Sequence, residues 1–236
     1  MIIFKSKKFI RIASAIIAVA GLSFFYYSAQ AAVVNWDGGG GDGNWNTCAN
    51  WSGDACPTSS DIATFDATST KNATINVSIS VAGINIASGY TGTITQADGI
   101  TVTVGSSNYV QADGTFTGGN SAITLNGTFT LTAGIFTATS GTITSAGTSW
   151  TYTSGTFNTN NGTVLFSSTL TITGSHSLNN VTMGGSSSGR TITVASGTTL
   201  TVAGTFTFDG AFATTINTGT IAAQGNIVVA DALSYT

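Results

Sequence analysis

Few side chains in this chain of 236 residues are equipped for chemistry. The single histidine, His176, is flanked by Ser175, Ser177, Asn179 and Asn180. A Ser/His/Asp site built on it would need an aspartate from a distant segment and an oxyanion hole, and no motif announces either. The nine acidic residues are all Asp. Beyond Asn72 they are Asp98, Asp113, Asp209 and Asp231, widely spaced. Glycosidic cleavage uses two carboxylates about 5–10 Å apart, so a pair here would have to meet across the fold.

Residues 33–66 hold the remaining aspartates, with Trp36, Trp45 and Trp51. The run Trp36-Asp37-Gly38-Gly39-Gly40-Gly41-Asp42-Gly43-Asn44-Trp45 is too rich in glycine for a helix. It predicts a compact loop whose indoles pack together or onto the neighbouring segment. Calcium ligation is one reading of such a loop, since calcium takes carboxylate and carbonyl oxygens. The EF-hand spacing is missing, and Asp, Asn and Gly are also what tight turns need. Cys48 and Cys56 are the only cysteines, and in an oxidising compartment they are expected to form one local disulfide. No cofactor is expected, no metal centre and no catalytic centre.

Composition limits the partners. Only 6% of the residues are charged and the formal net charge is −3, which excludes the clustered Lys and Arg of a nucleic-acid binder. With 42% hydrophobic residues and thirteen Phe, the chain is not disordered. Lys5, Lys7, Lys8 and Arg11 precede an apolar stretch from Ile12 to Phe25, and Ala29-Gln30-Ala31 supplies small residues for a cut. Residues 1–31 are therefore predicted to be a secretory signal peptide, with an uncleaved anchor as the alternative. After cleavage two basic residues, Lys71 and Arg190, face nine Asp, a formal charge of −7. No second apolar span occurs, so no integral membrane segment is expected.

The elements that carry these residues are strands. Ile75, Val77, Ile79 and Val81 alternate with polar residues, the period-two mark of a half-buried strand. From Phe129 onward a seven-residue beat sets in: Phe129, Phe136, Ile143, Trp150, Phe157 and Val164 form the candidate core column. A second set lies two residues later, at Leu131, Ala138, Ser145, Tyr152, Thr159 and Phe166. A coiled coil is excluded, because each unit's Gly, Thr and Ser cost about 2–3 kcal/mol per heptad in helix propensity. The charged flanking positions that register coiled coils are also missing.

One unit cannot stand alone. Burying two large side chains gains about 3–6 kcal/mol, while ordering seven residues costs about 7–14 kcal/mol. Neighbouring units must roof it, as in repeat architectures. Three seven-residue sides would close one turn of about 21 residues. The fold class expected is all-β: a single-stranded parallel β-helix over residues 72–236, of seven or eight rungs. Residues 32–71 are its Trp/Gly-rich N-terminal cap. An antiparallel β-sandwich or meander is the alternative.

The head run Trp36-Asp37-Gly38-Gly39-Gly40, Trp45, Asn50-Trp51-Ser52 and Pro57 resembles that of bacterial exported β-solenoid surface proteins, autotransporter-passenger-like and adhesin-like. Asn161-Gly162-Thr163-Val164, Gly174 to Thr182 and Arg190 to Val194 resemble their repeat segments, which makes His176 part of a structural segment. The resemblance implies a parallel β-helix at the cell surface. No translocator barrel or sorting signal comes after Leu233-Ser234-Tyr235-Thr236, so further repeats of a longer chain are expected, with another chain covering the last rung as the alternative.

The function expected is a secreted or cell-surface structural or adhesive rod, with glycans, matrix or other cell surfaces as partners. A carbohydrate-active β-helix is one alternative, to be decided by whether any two of Asp98, Asp113 and Asp209 share a groove. A Thr-rich ice-binding solenoid is the other. Thr-x-Thr recurs at Thr93/Thr95, Thr101/Thr103, Thr115/Thr117, Thr142/Thr144 and elsewhere, and an ice face would gather such pairs on one flat side.

Overall fold

The computed structural model describes residues 30–184, 190–209 and 219–229. The predicted signal peptide lies outside them except for its last two residues. The described residues from Ala31 onward form one compact unit.

Short strands, most of three or four residues, alternate with corners, and every strand pair is parallel. The β-solenoid is therefore the fold, and the antiparallel alternative is set aside. From Ala73 the chain visits three sides in a fixed order. Ala73–Ile75 begins the third side, Ile79–Val81 the second, and Gly83–Ile86 lies on the first. Among the described residues the first side has eight strands, opening with Ala32–Asn35 and Asp61–Phe65, so the head itself contributes two strands to the stack. The second side also has eight described strands, the last being Ile227–Val229. At parallel-sheet spacing eight strands measure about 34 Å along the stack.

The seven-residue beat has a simple origin. Phe129 lies on the first side, Phe136 on the third and Ile143 on the second; the next three members repeat that order one turn on. Phe129 pairs with Trp150, Phe136 with Phe157 and Ile143 with Val164, each one 21-residue turn apart. The six residues thus belong to three inward columns, not one. Five of them are buried, and Phe157 is half-buried against the core. Rings stack from turn to turn: Phe129 lies 4.0 Å from Trp150 and Phe136 5.2 Å from Phe116, centroid to centroid. Aromatic pairs of this kind add about 0.5–1.5 kcal/mol beyond the area they bury.

The corners are as regular as the sides. Gly114, Gly134 and Gly155 stand above one another between the first and third sides, each with positive φ. A Cβ on Gly134 would sit 2.5 Å from the carbonyl oxygen of Gly114, so both the turn and the close stacking of backbones select glycine here.

Two departures from a purely strand-built chain occur. Cys48–Asn50 and Ser52–Asp54 are single 3-10 turns in the head, where Gly53 takes φ 76°. Farther on, the turn from Val164 to its partner Val181 is short, because only Gly174-Ser175 and Asn179 flank His176–Leu178. There the third side divides into two stacks. Among the described residues, five strands run from Ala73–Ile75 to Thr156–Asn158, and three more make up the second stack: His176–Leu178, Thr199–Val202 and Thr220–Ala223. Thr156–Asn158 and His176–Leu178 do not pair.

Candidate functional site

The head closes the first turn from above. Trp45 donates its backbone N–H to Thr74 O, and Thr74 returns one to Gly43 O, so residues 43–45 act as a short extra strand over Ala73–Ile75. An open rung would be a sticky strand edge, and this pairing removes it on the third side. Beneath lies an aromatic cluster whose indoles meet edge to face. Trp36, Trp45 and Trp51 are buried, with Trp51 4.6 Å from Trp45 and 5.1 Å from Trp36 between centroids, and Phe65 and Tyr90 extend the contact inward. Their polar handles are satisfied. Trp51 Nε1–H donates to Trp45 O, while Trp36 Nε1–H and the Tyr90 hydroxyl both donate to Lys71 O. Burial pushes the Tyr90 hydroxyl pKa well up. Cys48 and Cys56 are joined in a disulfide that closes the loop around Trp51.

A cleft of about 440 Å³ opens beside this cluster, lined among others by Asp42, Lys71 and Asn72. Its charged groups are already engaged. Asp42 accepts from the backbone N–H and the side chain of Asn44, from the Thr47 hydroxyl and from Asn50 Nδ2. The Asn44 N–H, then the Thr47 hydroxyl, hold its carboxyl below the usual range. Lys71 Nζ donates to Gly38 O at 2.6 Å. Asp37 and Asp66 accept from the N–H two residues on, the geometry of Asx turns. Asp37, Asp42 and Asp66 are thus turn and loop organisers. Among the described residues no three His, Cys, Asp or Glu side chains gather where a metal ion could sit.

The acids of the repeat region stand apart. Asp98 lies at a corner between the third and second sides, Asp113 between the first and third, and Asp209 at the end of a second-side strand. Asp113 is occupied by the N–H groups of Gly89 and Gly114. Asp231 lies outside the described residues.

His176 is buried among aromatic rings, 5.2 Å from Tyr152 and 6.0 Å from Phe157 between centroids. Its Nε2 accepts from Trp150 Nε1–H at 2.9 Å, and Nδ1 lies 2.8 Å from Gly174 O. Among the described residues no Ser hydroxyl or Asp carboxylate bonds the ring.

The outer surface is made of threonine. On the third side, Thr93/Thr95 stack directly on Thr115/Thr117, with Ile135/Thr137 next. On the second, Thr103, Thr124 and Thr144 succeed one another, with Leu165 and Thr182 beyond them. On the first, Thr130 stacks on Thr151 and then Thr173. The pairs align turn by turn, but on all three sides.

Polar side chains that the sequence reading did not single out hold successive rungs together; Ser78 is one, at a corner that divides the alternation from Ile75 to Val81 into two strands. Asn72 Oδ1 accepts the N–H of Thr93, Asn108 Oδ1 that of Thr128 and Asn180 Oδ1 that of Thr205. Ser78, Thr169 and Ser175 use their hydroxyls in the same way for Thr101, Thr191 and Thr199. Inside, Gln111 accepts from the Tyr109 hydroxyl and donates to carbonyls including Ile135 O, one turn away. The only signal in the sequence is an Asn, Ser or Thr 20 to 25 residues before a strand start, which this composition cannot distinguish from chance.

Comparisons with protein-family models, with curated proteins and with solved structures find no match.

Proposed function

We propose that this chain is an exported rod, displayed outside the cell, that attaches to or spaces glycans, matrix or other surfaces, in the manner of adhesin-like and autotransporter-passenger-like proteins. One observation carries this reading: parallel strands on three sides turn mostly Thr, Ser and Asn outward while most of the aromatic and aliphatic residues face in. Such a surface offers many weak hydrogen bonds at fixed spacing, about 4.8 Å between rungs. Its partners would be hydroxyl-rich and extended. The N-terminal signal segment and the disulfide between Cys48 and Cys56 favour an oxidising, extracellular setting. A polysaccharide-cleaving reading finds little support, since Asp98, Asp113 and Asp209 occupy different corners. Ice binding is weakened because the threonine ladders are spread over three sides. Among the described residues no helix is long and apolar enough to cross a membrane.

Because so few charges are present, attachment should not depend on salt. Retention of the purified protein on immobilised glycans or matrix is expected to be unchanged between about 20 mM and about 500 mM NaCl. Loss of binding at moderate ionic strength would overturn the hydrogen-bonding mechanism.

A further inference from the structure

Among the described residues, His176 occupies the place where the third-side stack is interrupted. Thr156–Asn158 ends the first stack of that side, and His176–Leu178 begins the second without pairing to it. Strand hydrogen bonds are therefore missing across this joint, and side chains span it instead. Trp150 and Tyr152, from the first side, and Phe157, from the last strand of the upper stack, enclose the imidazole. On the far side His176 pairs in register with Leu200.

The hydrogen bonds fix the protonation state. An indole N–H can only donate, so the imidazole nitrogen facing Trp150 Nε1 must carry no proton. The other nitrogen, Nδ1, then carries the hydrogen and donates to Gly174 O. Both ring nitrogens are thus used in the neutral form. A proton added at Nε2 would point N–H at N–H inside a buried, aromatic pocket. Of the aromatic side chains packed on the ring only Tyr152 carries a hydroxyl, and it donates to Gly155 O. Among the described residues no Asp, Lys or Arg bonds the ring to compensate an imidazolium.

We propose that His176 is an acid-sensitive lock: protonation of Nε2 expels the ring from its bond with Trp150 and loosens the joint between the two stacks of the third side. Burial lowers the imidazole pKa below its ordinary value, against a smaller opposing effect of Gly174 O. The unfolded or opened state binds the proton more readily than the closed one. The stabilisation is accordingly complete above about pH 6.5 and declines as the pH falls toward the depressed value of the closed state.

The full chain is suited to the test because it holds a single histidine. Amide exchange, corrected for its intrinsic pH dependence, is compared at pH 7.5 and pH 5. Protection of residues 176–178 and 199–202 is expected to drop severalfold at pH 5, while Val102–Val104 and Ile123–Leu125 keep theirs. The His176→Gln variant, whose amide oxygen can still accept from Trp150, is expected to hold its protection at both pH values. Unchanged protection in the unsubstituted protein, or an equal loss in His176→Gln, would overturn the proposal. Should His176→Gln not fold, NMR titration of the imidazole decides: its protonation must coincide with the loss of joint protection, and titration without that loss refutes the lock.

Discussion

At the scale of single residues, the stacking of turns gives several polar groups partners that their neighbours in sequence do not suggest. His176 looks like a candidate base beside two serines, yet its partner Trp150 is 26 positions away, delivered by the turn above. Lys71 looks like a surface charge, yet its carbonyl receives Trp36 and Tyr90 while its ammonium holds Gly38. Glycines differ in the same way. Gly174 has φ 87°, and a Cβ there would run into the carbonyl oxygen of Tyr152 one turn above, whereas Gly41 has open space around it. Gly174→Ala is expected to destabilise the protein by about 1–3 kcal/mol from backbone strain alone, with the overlap adding to it. Gly41→Ala should stay within about 0.5 kcal/mol. Denaturant titration of both variants checks the contrast, and equal effects would mean that the corner backbones are not stacked as described.

At the scale of elements, a strand of three or four residues has no stability of its own and borrows it from the strands above and below. Phe129 makes this concrete, since its ring touches those of Tyr109, Phe136, Trp150 and Phe157. Phe129→Ala is expected to cost about 3–5 kcal/mol in unfolding free energy. Its effect on hydrogen exchange should be concentrated in Tyr109–Gln111, Phe129–Leu131 and Ser149–Tyr152, fading toward the ends. Elements of this kind are legible because the beat of Phe129, Phe136 and Ile143 is strict: equal sides bring the chain back over its starting strand after three members. The same logic explains what stays hidden. Where the turn from Val164 to Val181 shortens, the beat breaks and no local pattern marks the joint at His176. The acceptors Asn72 and Asn108, at corners, and Asn180, at a strand start, act one turn ahead, and an Asn in such a place is ordinary until its distant partner is known. The head's Trp residues could be expected to cluster, but not the strand-like pairing of residues 43–45 with Ala73–Ile75, because its glycines carry no strand signal.

At the scale of the whole molecule, the fold turns composition into geometry. Inward columns use the Phe, Ile and Val; outward columns use Thr, which suits a pleated strand and brings no charge. The ends are unlike. Trp36, Trp45 and Trp51 roof the first rung, whereas Ile227, Val228 and Val229 on the last described strand of the second side are exposed. Stability of such an array is a sum of neighbour contacts, so distance along the axis, not separation in sequence, should govern every long-range property. Spin labels on outward positions of the second side measure this directly. Ser80, Thr103, Thr124, Thr144, Leu165, Thr182 and Thr207 rise one rung at a time. Labels at Ser80 and Leu165 should lie about 19 Å apart and those at Ser80 and Thr207 about 29 Å, a constant increment of about 4.8 Å per rung. Separations that fail to grow with rung number, or that place Ser80 and Thr207 as close together as Ser80 and Thr124, would contradict the stacked three-sided coil.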